Sequence, residues 1–212
     1  MSELPETDQE LFWRGQFGDE YSARNTGLEI IAANVSLFSN IFAKLPKINS
    51  VIEFGPNIGL NLRALKILFP DQAQVAVEIN EFASKRLKES MPEVKVFNTS
   101  ILEFDHKVLG QGACDLALIK GVLIHINPQQ LPMVYEQLHV STSKYILICE
   151  YYNPKPDAVP YRGHSERLYR RDFAGEMLDN YQDLSLVNYG FAYHRDPSFP
   201  QDDITWFLLE KQ

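Results

Sequence analysis

The residues best suited to chemistry begin in one glycine-rich stretch. Val51-Ile-Glu-Phe-Gly-Pro-Asn-Ile-Gly-Leu passes from an apolar run into helical spacing and contains Glu53, Gly55, Asn57 and Gly59. Glycines at such a turn let the backbone come close to a ligand. The loop reads Gly-x-Asn-x-Gly and has no phosphate-binding lysine, so it favours a nucleoside without phosphates over a dinucleotide. The alternative is an ordinary strand–turn–helix whose glycines serve packing.

A carboxylate follows at the spacing that a ribose site requires. Glu78 ends the next apolar run, nineteen residues after Gly59. In doubly wound nucleotide-binding folds an acid about 20 residues beyond the loop accepts hydrogen bonds from both ribose hydroxyls. Ser100 and Ile101, after the following apolar run, are predicted to meet an adenine base, and Ile79 beside Glu78 is a further candidate for binding the same ligand. A solvated strand end is the alternative interpretation of Glu78.

A lysine and a histidine follow the fourth apolar run, which continues as Lys120-Gly-Val-Leu-Ile-His-Ile-Asn. Ligands of open parallel sheets lie over the carboxyl ends of the strands, where Lys120 and the turn with His125 are expected. An imidazole has an ordinary pKa of about 6.5 and can accept a proton at neutral pH. His125, His164 and Glu150 are therefore candidate general bases, and a packed core histidine is the alternative for His125. No residues have metal-ligand spacing, so no metal site is predicted.

Tyrosines and arginines cluster in the segment 151–171, which is predicted to be a loop beside the substrate. The candidate substrate-binding residues there are Tyr152, Tyr161, Arg162, Arg170 and Arg171. Arg170 and Arg171 precede a predicted helix, whose N-terminal dipole disfavours cations. Guanidinium groups suit a carboxylate or phosphate, so the segment is predicted to bind an anion. The alternative is a solvated loop whose arginines pair with Glu166, Asp172 and Glu176.

Alternating strands and helices are predicted to position these residues. Strands are expected at 51–54, 74–78, 95–98, 116–120 and 145–150, with helices at 60–68, 81–90, 129–138 and 173–181, the last capped by Asp172. Such alternation indicates an α/β fold with a doubly wound parallel sheet. The extended runs 184–194 and 204–210 are joined by a turn that suits an antiparallel hairpin. Residues 10–45 are predicted to be helical in two pieces.

Charge and composition exclude several classes of function. The 212 residues include 28 Asp and Glu against 20 Lys and Arg, a net charge of −8. This balance argues against sequence-blind binding to nucleic acid and against adsorption on an anionic membrane. Cys114 and Cys149 are too few for a disulfide framework or a four-thiolate zinc site. With no secretion signal and no apolar run of about 18 residues, the chain is predicted to be cytoplasmic.

The motifs resemble those of a known enzyme family. Glu53-Phe-Gly-Pro-Asn-Ile-Gly, Glu78 and Lys120-Gly-Val-Leu-Ile-His-Ile-Asn are similar to the three main motifs of class I S-adenosylmethionine-dependent methyltransferases. Phe12-Trp-Arg-Gly-Gln-Phe-Gly, Glu150-Tyr-Tyr-Asn-Pro-Lys-Pro and Phe199-Pro-Gln-Asp-Asp-Ile-Thr-Trp-Phe resemble the methylase family associated with pseudaminic acid biosynthesis, over nearly the whole chain. Asn57 stands where most class I enzymes have a second glycine, and asparagine tolerates unusual backbone angles.

The resemblance implies a fold, a cofactor and a reaction. The fold is a Rossmann-like seven-stranded sheet, mostly parallel with an antiparallel C-terminal hairpin strand, in which residues 1–49 are a helical lid and 50–212 the core. The cofactor is S-adenosyl-L-methionine, with Tyr21 and Arg24 of the lid near its carboxylate. The reaction is methyl transfer to an oxygen or nitrogen of a small anionic sugar.

The resemblance also implies a substrate and leaves alternatives. The sugar is a nonulosonic acid of the pseudaminic or legionaminic type, or its nucleotide-activated form, acted on by a monomer or homodimer. One alternative is a catalytically silent cofactor-binding module of a glycan-synthesis complex. Another is an NAD-dependent sugar-modifying enzyme, which the Gly-x-Asn-x-Gly sequence of the loop around Asn57 disfavours.

Overall fold

The computed structural model of the protein describes residues 7–110, 113–161 and 164–212. Nine strands lie in these residues: β1 (Ser50–Phe54), β2 (Ala73–Val77), β3 (Lys95–Phe97), β4 (Cys114–Lys120), β5 (Thr142–Glu150), β6 (Asp157–Tyr161), β7 (His164–Arg170), β8 (Leu184–Ala192) and β9 (Ile204–Lys211). Seven of them form one sheet in the order β3-β2-β1-β4-β5-β9-β8. The first five run parallel, and β9 is antiparallel to both β5 and β8. This confirms the predicted fold class.

Helices cover both faces of this sheet. The described α-helices are α1 (Asp8–Arg14), α2 (Gln16–Arg24), α3 (Leu28–Phe42), α4 (Leu60–Leu68), α5 (Glu81–Ser90), α6 (Leu131–Val140) and α7 (Phe173–Asn180). Asn80 and Asp172 cap α5 and α7 by accepting a backbone N–H from the first turn. Thr7 and Glu10 form a reciprocal capping box at α1. None of the described helices is long and apolar enough to cross a membrane.

The core consists of two apolar clusters, one on each face of the sheet. Ile52 and Phe54 belong to the cluster that includes α6 and α7. Val51 and Leu116 belong to the cluster that includes α3, α4 and α5. Because both faces are covered, the central strands are buried at nearly every position, and this is why they appear in the sequence as continuous apolar runs.

The N-terminal helices divide between the core and the outer surface. Three helices form where two pieces were predicted, because the chain breaks at Gly15 and again at Gly27, whose φ is +143°. Helix α3 contributes Leu37 and Phe38 to the core, whereas α1 has no buried residue. The described part of residues 1–49, which are predicted to be a lid, therefore combines one core helix with two outer helices.

Within the segment 151–171, strands β6 and β7 pair in an antiparallel hairpin, so the prediction that the segment is a loop is wrong for these residues. Val159 pairs with Leu168, and both pack against the main core. The register shifts between Val159 and Tyr161, which places Pro160 at an irregularity of the ladder. A proline is tolerated at such a bulge because no ladder hydrogen bond is required of it there. The proline concealed the strand in the sequence.

Carboxylates accompany the two described arginines at the end of this hairpin. Arg170 pairs with Asp157 across the hairpin. Arg171 Nε donates to Glu176 Oε1 at 2.7 Å, and Tyr135 Oη donates to Glu176 Oε2 at 2.7 Å. Glu176 thereby joins β7, α6 and α7. The pairing of Arg171 with Glu176 agrees with the alternative interpretation of the segment, in which the arginines bind carboxylates of the chain itself.

Arg171→Gln should lower the free energy of unfolding by about 1.5–3 kcal/mol, the usual worth of a hydrogen bond to a charged group. The Arg171 side chain is 22% exposed and that of Arg170 is 41% exposed, so water screens the second pair more strongly. The matched control Arg170→Gln should therefore cost less than about 1 kcal/mol. Urea denaturation measures both. Equal losses in the two variants would contradict the structural role of Arg171.

Candidate functional site

A cavity of about 600 Å³ opens over the carboxyl ends of β1, β2, β3 and β4. This is where open parallel sheets bind ligands, and the volume lies in the usual range of small-molecule sites. Its walls come from α1, α2 and α3, from the segments that follow the four strands, and from the loop between β8 and β9. Polar side chains of the α3 and β8–β9 walls include Glu29, Asn34, Gln201 and Asp202.

The turn after β1 has a backbone that only particular residues can adopt. Gly55 and Gly59 have φ of +72° and +84°, and Asn57 between them has φ of +52°. A Cβ on Gly55 would lie 2.5 Å from a methyl carbon of Val122, and one on Gly59 would lie 2.4 Å from a methyl carbon of Leu87. Gly55 and Asn57 line the cavity. The described lining does not include Gly59, which shapes the turn beneath it.

Glu78 lies at the end of β2 and is 5% exposed. Its Oε2 accepts the Asn57 N–H at 2.8 Å, and its Oε1 accepts the Asn80 N–H at 2.8 Å. Burial raises the pKa of this carboxyl, and the backbone hydrogen bonds oppose the rise. A carboxylate can accept about four hydrogen bonds, so Glu78 retains capacity for ligand hydroxyls on its cavity side.

Two further carboxylates lie at the ends of β1 and β5, on either side of Lys120 at the end of β4. Burial raises the pKa of Glu53 to about 7, while a hydrogen bond from Asn61 Nδ2 at 2.6 Å and the charge of Lys120 lower it. Lys120 lines the cavity. Glu53 is fully buried and does not belong to the described lining, so it is placed beneath the site predicted for it rather than inside.

Glu150 supports the short 3₁₀ turn Leu123–His125. Its Oε1 accepts the N–H groups of Val122 and Leu123, each at 2.9 Å. Burial raises the pKa of Glu150 to about 7 against the effect of these bonds. The sequence makes Glu150 a candidate general base. Its side chain is absent from the described lining of the cavity and accepts backbone N–H groups instead. Its role as a support for the turn was not visible in the sequence.

His125 lines the cavity and is 7% exposed. Its ring lies 4.7 Å from the ring of Trp13, measured between centroids, so α1 covers it. Strand β7 packs against the turn that carries His125. His164 begins this strand, but its side chain lies outside the described part of the chain, as do the side chain of Tyr161 and the whole of Arg162.

Helices α1 and α2, which belong to the predicted lid, are attached to the cavity wall at Asn80. Asn80 Nδ2 donates to Asp19 Oδ1 at 2.8 Å and to the carbonyl of Trp13 at 3.1 Å. Tyr21 lines the cavity, as predicted for a lid residue, whereas Arg24 is not part of the described lining. Because Asn80 also donates its N–H to Glu78, the lid and the predicted ribose acceptor share one anchoring residue.

The end of β3 forms the remaining wall. Ser100 and Ile101 line this end of the cavity, as predicted for residues that meet the base, and Ile79 lines the cavity after β2. Ser100 Oγ donates to Glu10 Oε1 of α1. The sequence does not mark Glu10, Trp13 or Asn80 as residues of the site, because their contacts in the cavity wall join residues more than sixty positions apart.

The described residues of the predicted anion site do not meet in this cavity. Tyr152 and Arg170 line a second, smaller cavity of about 320 Å³, together with Phe191 and Asp203. Arg171 lines neither cavity as described, and it is paired with a carboxylate. Among the described residues, no three His, Cys, Asp or Glu side chains come together to hold a metal ion.

Comparison with known proteins identifies the fold. No protein-family model and no curated protein matches the sequence. Among solved structures, magnesium protoporphyrin IX methyltransferase from Synechocystis with bound S-adenosylmethionine superposes with a TM-score of 0.65 at 10% identity, covering 99% of this chain and 100% of that one. The chain has the fold of class I S-adenosylmethionine-dependent methyltransferases.

Two further structures share this fold. The Burkholderia thailandensis 1,6-didemethyltoxoflavin-N1-methyltransferase, with S-adenosylhomocysteine and 1,6-didemethyltoxoflavin bound, has a TM-score of 0.69 at 17% identity over 99% of this chain and 93% of its own. The plantazolicin methyltransferase BpumL, with S-adenosylhomocysteine and a pentazolic analogue, has a TM-score of 0.63 at 14% identity over 92% and 89%. At such identities the likeness establishes the fold.

Glu150→Gln should reduce the loss of stability between pH 5 and pH 8. A carboxyl whose pKa is raised from 4.5 to about 7 holds a proton that the unfolded chain has already lost, so stability falls as the pH rises through this window. The rise corresponds to on the order of 3 kcal/mol. Glutamine keeps an oxygen for the two backbone N–H groups and does not titrate.

Urea denaturation at several pH values measures this effect. The control is Glu103→Gln, because the Glu103 side chain is 63% exposed, and it should leave the pH dependence of wild type unchanged. A Glu150→Gln variant whose stability falls with pH as steeply as that of wild type would contradict the raised pKa.

Proposed function

We propose that the protein transfers a methyl group from S-adenosyl-L-methionine to an oxygen or nitrogen of a small molecule. The observation that carries the proposal is the pairing of two features in one cavity. The left-handed turn from Gly55 to Gly59 closes one side, and the buried carboxylate of Glu78 lies at the neighbouring strand end. This arrangement suits a nucleoside whose ribose hydroxyls donate to Glu78.

The cavity residues fit this cofactor at three points. Glu78 keeps acceptor capacity for the ribose, and Ile79 with Ile101 offers apolar contact to a base. Lys120 and Tyr21 also line the cavity, and we assign them to the charged amino-acid end of the cofactor. Bound S-adenosylmethionine supplies a methyl group on a sulfonium whose leaving group is a neutral thioether, so the chain needs no general acid.

The tasks left to the chain are positioning the acceptor, excluding water and taking up a proton. Trp13 and Tyr21 of the lid cover the cavity above the turn after β4. His125 lies in that turn and faces the cavity, so it is the residue proposed to accept the proton of the acceptor. Glu150 positions His125 through the backbone of the turn.

The proposed acceptor is a sugar acid of the nonulosonic type, free or nucleotide-activated. The support is the resemblance to the methylase family associated with pseudaminic acid biosynthesis. Asn34 and Gln201, which are hydrogen-bonded at 3.0 Å on the cavity wall, can bind sugar hydroxyls. Lys120 is the only lysine or arginine among the described lining residues, and because it is assigned above to the cofactor it does not count toward the sugar carboxylate. Arg162 and His164 remain candidates for the acceptor side.

Titration calorimetry with S-adenosylmethionine, S-adenosylhomocysteine and NAD⁺ tests the cofactor, and methyl-transfer assays on sugar acids and their nucleotide-activated forms test the acceptor. Binding of NAD⁺ alone would favour the NAD-dependent alternative. Binding of S-adenosylmethionine without turnover on any acceptor would favour a silent cofactor-binding module.

A cytoplasmic location and a monomeric or homodimeric state stay predictions. The two buried free thiols, Cys114 and Cys149, are compatible with a reducing compartment.

Glu78→Ala should weaken S-adenosylhomocysteine binding by at least about tenfold, because the ribose hydroxyls lose charge-assisted hydrogen bonds of about 1.5–3 kcal/mol. The change also removes the acceptor of two backbone N–H groups, so Glu78→Gln, which keeps one oxygen, serves as a second variant and should lose less affinity. Exposed Glu89→Ala is the control. Calorimetry that finds wild-type affinity in folded Glu78→Ala would contradict the assignment.

His125→Asn should lower kcat by about a hundredfold or more and leave S-adenosylhomocysteine affinity unchanged, as expected for removal of a general base. The control is His139→Asn, because His139 contacts Asp183 away from the cavity and should affect stability alone. Near-normal kcat in folded His125→Asn would reduce His125 to a packing residue.

A further inference from the structure

The carboxylate of Glu10 is fixed at the β3 end of the cavity. Thr7 donates both its N–H, at 2.8 Å, and its hydroxyl, at 3.0 Å, to Glu10 Oε2. Ser100 Oγ donates to Glu10 Oε1 across ninety residues of sequence. Thr7, Glu10 and Ser100 all line the cavity. A side chain of the first helix is therefore held against the end of a core strand, with its charge on the wall of the binding site.

The hydrogen bonds around Glu10 leave one acceptor position. A carboxylate offers about four such positions, and among the described residues three are filled by Thr7 N–H, Thr7 hydroxyl and Ser100 hydroxyl. The hydroxyl of Ser100 donates its one proton to Glu10, and the hydroxyl oxygen accepts the Leu102 N–H at 3.1 Å. The pair Glu10–Ser100 thus presents acceptors to the cavity and no donor. A ligand edge that meets it must carry a donor.

The sheet order determines which part of a nucleoside would meet this pair. Glu78 ends β2, and β3 is the next strand outward. A ligand whose ribose is bound by Glu78 and whose other end points toward Lys120 must direct its base toward the end of β3. There Ile79, Ile101 and Leu102 line the cavity as apolar neighbours. The polar edge of the base then comes to Glu10.

We propose that Glu10 selects the 6-amino group of adenine, so that recognition of the base depends on the N-terminal helix as well as on the core. The inference rests on the proposed use of an adenosyl cofactor. A 6-amino group donates a hydrogen bond to the carboxylate. A 6-oxo group in the same place brings two acceptors together and leaves a charged acceptor without a partner, which a site built for hydrogen bonding rejects strongly.

Calorimetry with two ligands that differ in this one group tests the proposal. S-adenosyl-L-homocysteine carries the 6-amino group, and S-inosyl-L-homocysteine carries a 6-oxo group. Wild type should bind the adenosyl compound at least about thirtyfold more tightly. In Glu10→Gln this ratio should shrink at least about tenfold, because the glutamine amide can donate to the oxo group. Glutamine is equally accepted at this position of a capping box, so helix α1 keeps its cap.

The matched control is Glu20→Gln, on the neighbouring lid helix. Glu20 is exposed, accepts a hydrogen bond from Gln16 and does not line the cavity, so its replacement should leave the ratio unchanged. Ser100→Ala is a second variant that frees the Glu10 carboxylate from its anchor without removing it, and it should reduce the ratio less than Glu10→Gln does. Thermal denaturation of each unliganded variant establishes that it is folded.

The outcomes separate this proposal from the proposed function. A wild type that binds both compounds equally, or a folded Glu10→Gln that keeps the wild-type ratio, overturns the role of Glu10 and leaves the cofactor assignment standing. A wild type that binds neither compound overturns the cofactor assignment, and the role of Glu10 with it. A ratio that shrinks in Glu10→Gln and not in Glu20→Gln supports the proposal.

Discussion

The site depends on one interaction, the acceptance of two backbone N–H groups by the carboxylate of Glu78. The N–H of Asn57 belongs to the turn after β1, and the N–H of Asn80 belongs to the start of α5, so one side chain joins two loops to the end of β2. Asn80 then holds the lid through Asp19. Burying a carboxylate is unfavourable unless hydrogen bonds compensate, and these bonds fulfil that requirement before any ligand arrives. The cavity is therefore preorganised around a charge.

The same principle recurs along the sheet edge. Glu53 at the end of β1 accepts from the side chain of Asn61, and Glu150 at the end of β5 accepts from the turn after β4. Burial raises the pKa of both carboxyls to about 7, and Lys120 between them works against the rise. Glu53 thus fixes the start of α4, the helix that follows its own strand, and Glu150 fixes the turn that follows the neighbouring strand β4. Burying these acids lowers the free energy of unfolding. The hydrogen bonds that they accept hold the following segments in one conformation, as a binding site requires.

The sequence allows much of the fold to be predicted, because buried parallel strands appear as continuous apolar runs and the helices between them have clear spacing. The hairpin of β6 and β7 is not predicted from the sequence, because Pro160 interrupts the strand pattern of β6. The resemblance places α3 within a lid of residues 1–49, and only the folded chain shows that the apolar face of this helix belongs to the core. For the site, spacing pointed to Glu78 and the glycine turn. Glu10 gave no signal, since its partner Ser100 lies ninety residues away and only the folded chain brings them together.

The cavity wall is divided between two structural layers with different constraints. The strand ends supply the turn at Gly55 and the carboxylate of Glu78, whose positions the core fixes through the sheet register. The outer helices supply Glu10, Trp13 and Tyr21, and α1 has no buried residue of its own. A helix without a buried face is stabilised by its cap and by its contacts to the cavity wall, so its docking is coupled to whatever occupies the cavity. Glu10, Trp13 and Tyr21 therefore bring the outer helices against the same cavity that the strand ends enclose, so the wall combines a part fixed by the core with a part held by a few polar and aromatic contacts.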